Sequence, residues 1–186
     1  METPRAWFAI IALGRDRPGI VADVSGCIFD CGYNLEDASM TQLGDEFAVL
    51  LLISGREGDA KDDHRALFDG IKRLEWERNL TVFVRQLGGE PEARPAGRDD
   101  DYFIRATGVD RAGIVAGVSR CLADAGVDIA DLRGSASEAP QSGTPVYTLR
   151  IRALARPDID IEGLRQALDS VGRRLDVEVS VERNPD

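Results

Sequence analysis

Gly14-Arg15-Asp16-Arg17-Pro18-Gly19-Ile20-Val21-Ala22-Asp23-Val24-Ser25 returns as Gly108-Val109-Asp110-Arg111-Ala112-Gly113-Ile114-Val115-Ala116-Gly117-Val118-Ser119. The offset is 94 residues, and it holds without a gap through Cys27/Cys121, Asp30/Asp124, Gly32/Gly126 and Asp37/Asp131. Chance is a poor account of so long an ungapped agreement. Two copies at this spacing imply a duplicated small domain; a solenoid needs three or more stacked repeats.

The order of elements follows by working outward from the repeat. Before the first copy, Trp7 to Leu13 is short, apolar and β-prone, so it reads as a buried strand. The Asp16-Arg17-Pro18-Gly19 turn then opens a helix, with Pro18 suited to the first helical turn. Ile20, Val24, Cys27, Ile28 and Cys31 recur on one helical face. Gly32 is placed to end that helix in a left-handed cap. Residues 34–41 and 47–53 read as a hairpin around Gly44-Asp45. Residues 60–78 carry Leu67, Ile71 and Leu74 on one stripe and predict an amphipathic helix. Residues 80–84 read as a last strand.

After a Gly-, Pro- and charge-rich stretch at 88–100, the same order returns. Strands are predicted at 102–106, 128–135, 146–153 and 177–181, and helices at 112–125 and 161–175. Residues 139–145 read as a longer, mobile loop. The predicted organisation is one domain over 1–87, a linker over 88–100 and a second domain over 101–186. Each half is β-α-β-β-α-β, an α+β arrangement. Right-handed crossovers make it a ferredoxin-like antiparallel sheet with both helices on one face. The other sheet face needs a cover or lies open for a partner.

Bulk composition narrows the function classes. The net charge of −10 opposes phosphate backbones, so direct nucleic-acid binding is not expected. No apolar run is long enough to span a membrane, and residues 1–7 lack the pattern of a signal peptide. A cytoplasmic protein is the expectation. Three cysteines do not suggest a disulfide framework.

Residue by residue, few catalytic or metal-binding constellations arise. Cys27 and Cys31 are four apart on a helix and could in principle share a metal, but they fall on the predicted core face, so no metal is expected. His64, the only histidine, is read as lying on the charged part of the second helix, without a triad around it. Ser25 and Ser119 lack a nucleophile-elbow pattern, and no Gly-Lys-Ser/Thr follows the turn. Asp62-Asp63 and Asp99-Asp100-Asp101 read as solvated surface. No cofactor and no enzymatic activity are expected.

The turn Gly-x-Asp-Arg-Pro-Gly-Ile-Val at 14–21, the helix ending in Cys-Gly-Tyr-Asn-Leu at 31–35, and their second copies at 108–115 and 125–129 resemble the ACT-domain family. These are small ferredoxin-like regulatory modules that bind amino acids. Two tandem copies resemble the glycine cleavage system transcriptional repressor group in particular. The same turn also opens formyltetrahydrofolate deformylases, whose catalytic domain has no counterpart in this sequence.

The resemblance implies a ligand at an interface between neighbouring modules, contacted by the turn and by the start of the second strand. Carried over, it points to Asp16, Pro18, Gly19, Ile20 and Asn34 in the first copy. In the second it points to Asp110, Ala112, Gly113, Ile114 and Asp128. The physics agrees: a helix N-terminus suits a carboxylate, glycine allows close approach, and Arg17 or Arg111 could fork onto the ligand. Ala112 in place of Pro18 and Asp128 in place of Asn34 set the copies apart, since a carboxylate at 128 favours an ammonium group. A plainer reading stands beside this one, in which Asp16 and Asp110 cap helices and the glycines satisfy a tight turn. The expected function is sensing of a small amino acid, glycine by the resemblance. Its output would be control of transcription or of an enzyme through a protein partner, in a homodimer. The alternative is a ligand-free oligomerisation module that docks to a partner enzyme.

Overall fold

The structure is a computed structural model that describes residues 5–56, 64–92, 100–109, 112–138 and 145–184. The chain divides into two compact units, Met1–Ala93 and Arg94–Asp186. Unit 1 contains β1 (Arg5–Arg15), α1 (Ile20–Asp30), β2 (Asn34–Leu43), β3 (Glu46–Arg56), α2 (Arg65–Arg78) and β4 (Thr81–Leu87). Unit 2 contains β5 (Asp100–Val109), α3 (Ile114–Asp124), β6 (Asp128–Glu138), β7 (Pro145–Ala155), α4 (Ile161–Leu175) and β8 (Val177–Arg183). The sheet orders are β2-β3-β1-β4 and β6-β7-β5-β8, with every pairing antiparallel. This is the ferredoxin-like architecture expected from the repeat.

Strict alternation puts the core on one face of each sheet. In unit 1, Phe8, Ile10 and Ala12 of β1 and Phe47, Val49, Leu51 and Ile53 of β3 point at the helices. Ile20, Val24, Cys27 and Ile28 of α1, with Leu67, Ile71 and Leu74 of α2, meet them. Unit 2 repeats the scheme with Ile104, Ala106, Leu149 and Ile151 beneath Ile114, Val118, Leu122, Leu164 and Leu168. Trp7 lies on the face away from the helices and is buried as well.

Both first helices end alike. Gly32 (φ 81°) and Gly126 (φ 71°) take the left-handed conformation. The amides of Tyr33 and Val127 reach back to the carbonyls of Ile28 and Leu122. That is a Schellman closure, with its hydrophobic contact supplied by the same buried residues.

The strands are longer than the apolar runs that announced them: β1 reaches from Arg5 to Arg15, where the sequence suggested 7–13. Polar residues at the ends join the ladder because backbone pairing does not require apolar side chains. β2 and β6 are exposed at every residue, as edge strands of the two sheets. Each carries a bulge, between Leu35 and Asp37 and between Ile129 and Asp131. The bulge shifts the pleat by one residue and explains the loose alternation there. The 139–144 loop, residues 60–63 of the expected second helix, residues 93–99 of the expected linker, and Asp62, Asp63 and Asp99 of the acid runs lie outside the described residues.

Candidate functional site

The turn between β1 and α1 is held from below by its neighbours. The Asp16 amide donates to the Asp45 carbonyl at 2.8 Å, and Arg15 bridges to Asp45 at 3.1 Å. α1 begins at Ile20, with Gly19 as its N-cap at φ 87°. Pro18 therefore stands in the turn before the helix, not in its first turn. The capping expected of Asp16 is absent. Its carboxylate accepts from Gln42 Nε2 of β2 at 2.7 Å, and among the described residues no side chain caps α1. The reason is register: with Gly19 at the N-cap, Asp16 is three residues too early to reach the first-turn amides. Among the described residues those of Val21 and Ala22 consequently have no side-chain acceptor.

Arg17 turns inward along the helix. Its Nη2 lies 2.6 Å from Asp23 Oδ2, and Arg78 of α2 reaches the same carboxylate at 3.1 Å. The Arg17 hydrogen bond, aided by the charge of Arg78, holds the Asp23 carboxyl below its ordinary range.

In unit 2, Gly113 (φ 101°) is the N-cap of α3, again without a side-chain cap among the described residues, and Ala112 is exposed beside it. Asp110 and Arg111 lie outside the described residues. A Cβ added at Gly19 or Gly113 would meet nothing within 4 Å. These glycines are required by their backbone angle, and the space over them is open.

Asn34 does not join the turn within its own unit. It pairs with Ser54, which lies opposite Trp7, whereas the turn follows Arg15. Eight residues of strand separate the two rows, about 26 Å. Asp128 stands likewise beside Leu154, opposite Asp101, while the second turn follows Val109. The expected ligand residues thus form two groups at opposite ends of each sheet. Gly19, Ile20, Asp16 and Arg17 make one group, and Asn34 sits near Arg5, Glu36 and Ser54, which are hydrogen-bonded together.

Other polar features depart from the sequence reading. His64 is not on a solvated charged face. It is the N-cap residue of α2, its Nδ1 lies 2.6 Å from Tyr33 Oη, and its ring meets Phe8 edge-on at 4.9 Å. Helical periodicity does not report the start of a helix, where the chain turns back onto the core. Asp100 and Asp101 are not solvated loop residues either. Both are in β5, where Asp100 pairs with Arg183, and Asp101 pairs with Arg152 at 2.8 Å and accepts from Asn184. The hydrogen bond from Arg152 holds the Asp101 carboxyl below its usual range.

Cys27 and Cys121 are packed among apolar side chains, and burial pushes both thiols up. Cys31 is half-buried, with its thiol against the Ala66 carbonyl. Among the described residues no group of three His, Cys, Asp or Glu side chains could hold a metal ion. None of the described helices is long and apolar enough to cross a membrane.

An open groove of about 850 Å³ between α3 and α4 was not foreseen; Gly117, Arg120, Ala167, Ser170 and Arg174 are among its lining residues. In unit 1 the matching hollow is about 250 Å³. Asp23 stands there in place of Gly117, bridged to Arg78, and Arg73 in place of Ser170.

Comparison with known proteins places this geometry. The ACT domain model matches residues 7–85. The glycine cleavage system transcriptional repressor of Escherichia coli is 45% identical over 49 residues, which is 26% of this chain and 26% of that one. The match spans about a quarter of that repressor's length. A UPF0237 protein of Streptococcus pneumoniae is 42% identical over 76 residues, 41% of this chain and 83% of that one. Two crystal structures align over the whole chain. An unknown protein from Galdieria sulphuraria has a TM-score of 0.74 at 24% identity, covering 97% of this chain and 99% of that one. A protein described as a candidate glycine cleavage system transcriptional repressor has a TM-score of 0.73 at 21% identity, covering 98% and 99%. At these identities the two structures speak for the fold alone. The family match, the relative covered over most of its length and the twice-repeated ferredoxin-like sheet lead to one conclusion: the chain belongs to the ACT-domain family.

Proposed function

We propose that this protein is a regulator that binds a small amino acid and acts through contact with another protein, without catalysing a reaction. The observation that carries the reading is the duplicated turn. In both units a glycine in the left-handed region starts a helix whose first amides have no side-chain cap among the described residues, beneath open space. Such a helix end favours a carboxylate by about 0.3–1 kcal/mol even when exposed. The ligand would rest its carboxylate at Gly19 and Ile20, or at Gly113 and Ile114. Because Asn34 and Asp128 lie at the far ends of their sheets, the ligand's ammonium group would be met by a strand start from a different module.

The likeness to the glycine cleavage repressor supports glycine as the first ligand to try and a transcription regulator as the partner. Asp128 in place of Asn34 supports unequal sites. Ligand at a module interface would shift the population between arrangements of the modules. The test is thermal unfolding against the twenty common amino acids. A ligand that binds only the folded protein raises the midpoint by mass action, by about 2.7 kcal/mol of stability at a hundredfold excess over Kd. One selective hit, lost in Gly19→Val or Gly113→Val protein that still folds, is the expected result.

A ligand-free assembly role is the second reading, favoured by the exposed Ile11, Leu50 and Phe83. It predicts a flat amino-acid panel together with a stable oligomer.

A further inference from the structure

The sheet faces turned away from the helices carry different chemistry in the two units, although the helix-facing sides match. Pairing register lines the open face up in rows. In unit 1 one row reads Ser39, Leu50, Ile11, Phe83 across β2, β3, β1 and β4. The corresponding row of unit 2 reads Arg133, Arg150, Arg105, Ser180. Leu50, Ile11 and Phe83 are 51%, 43% and 61% exposed, and Leu13 beside them is 43% exposed. Two charged rows bracket this apolar band. On one side is Asp37, Leu52, Ala9, Arg85, and on the other, at the turn end, Leu43, Glu46, Arg15. Acid and base therefore sit at opposite positions of each row.

We infer that the open face of unit 1 is a self-complementary interface for unit 1 of a second copy of this chain. The argument is one of symmetry. A two-fold axis parallel to the strands, between β3 and β1, keeps each row level and lays β3 over β1 and β2 over β4 of the other copy. Leu50 then covers Ile11 of the second copy, and Ala48 covers Leu13. Asp37 meets Arg85, and Glu46 meets Arg15, each twice by symmetry. Sheets packed face to face cross at roughly 30°, an offset at the corners that the long arginine side chains span. Among the described residues neither Arg85 nor Glu46 is engaged in an ion pair within the chain. The same operation on unit 2 sets Arg150 over Arg105 and Asp131 over Glu182, like on like. Unit 1 accepts the pairing and unit 2 repels it. In these three rows the second copy supplies the apolar cover and the opposite charges; the next row of the same face, with Ser54 and Trp7, is already buried within the chain. This surface lies on the sheet, apart from the helix ends proposed for the ligand, so either assignment can fail alone.

The test is sedimentation equilibrium of the full chain and its variants, each checked for folding by thermal melting. The wild type is expected to dimerise. Ile11→Lys, which buries an ammonium group at the centre of the interface twice, should weaken the dimer about a hundredfold or more. Phe83→Ser, on an exposed edge strand, is the companion variant should Ile11→Lys fail to fold, and it should also weaken the dimer. Arg85→Asp should weaken it about tenfold, and adding Asp37→Arg should restore it. Arg150→Lys in unit 2, which keeps the like charge there, should leave it unchanged. A chain that stays monomeric at all concentrations, a dimer indifferent to both Ile11→Lys and Phe83→Ser, or a charge swap that fails to restore association would each overturn the inference.

Discussion

Arg17 Nη2 and Asp23 Oδ2 lie 2.6 Å apart across the first turn of α1, so the arginine two residues before Gly19 is already neutralised from within. Removing the carboxylate should free it. Asp23→Asn is expected to raise the affinity of unit 1 for a carboxylate ligand by a few-fold, measured by calorimetric titration of whichever amino acid shifts the melting midpoint. An unchanged affinity would mean that Arg17 does not face the ligand.

The same pair sets a pH dependence. Asp23 titrates lower in the folded chain than in the unfolded one, where it returns to about 3.9. Its contribution is thus present above that unfolded value and fades as pH falls through the depressed folded one. Melting midpoints of wild type and Asp23→Asn should differ at pH 7 and converge as pH falls below the depressed folded value. The effect is small, because the pair is open to water and screened.

Asp101 shares the sign of that dependence, in a less exposed place. Its side chain is 17% exposed and bonded to Arg152 and Asn184. Asp101→Ala should cost about 1–2 kcal/mol after allowance for solvent screening, since it strands a guanidinium beside the sheet. Arg152→Ala should cost no more than that, and the double variant should be less than additive. Chemical denaturation with a two-state fit to unit 2 would check this.

Gly19→Ala and Gly113→Ala meet no neighbour, so any loss of stability comes from the backbone alone. An L-residue forced to these angles costs roughly 1–2 kcal/mol. Asn at either position should cost less than Ala, because it tolerates the left-handed region. Equal costs for Asn and Ala would point to a contact that the open turn does not have.

Gly108 makes the opposite case. A Cβ there would stand 2.7 Å from the Asp176 carbonyl oxygen and 2.6 Å from Val177 Cγ1. Backbone gives way poorly, so Gly108→Ala should destabilise unit 2 by about 1–3 kcal/mol, read as a fall in the midpoint of its melting transition.

Much of this fold is legible in the chain itself. The repeat beginning at Gly14 and Gly108 implied two units, and the spacing of Ile20, Val24, Cys27 and Ile28 announced a helix and its buried face. These are local periodicities, set by which side of an element must leave water, and a single sequence records them. Strand ends such as Arg5 and Arg15 were not legible, because ladder hydrogen bonds belong to the backbone and leave no mark in side-chain type. The same holds for Asp101 and His64, whose partners Arg152 and Tyr33 are brought to them by folding.

The candidate site divides along the same line. The family resemblance singled out the turn and Asn34 together, as contacts of one ligand at an interface between modules. Only the tertiary structure could show that β2 runs from one end of the sheet to the other and leaves Asn34 about 26 Å from the row at which the turn begins. The open faces were beyond the sequence for a related reason. Ser39, Leu50, Ile11 and Phe83 come from four separate segments, and pairing register alone sets them in one row, where the corresponding row of the second unit holds arginines. Sequence determined what each element buries; register, a long-range property of the sheet, decided what each unit shows.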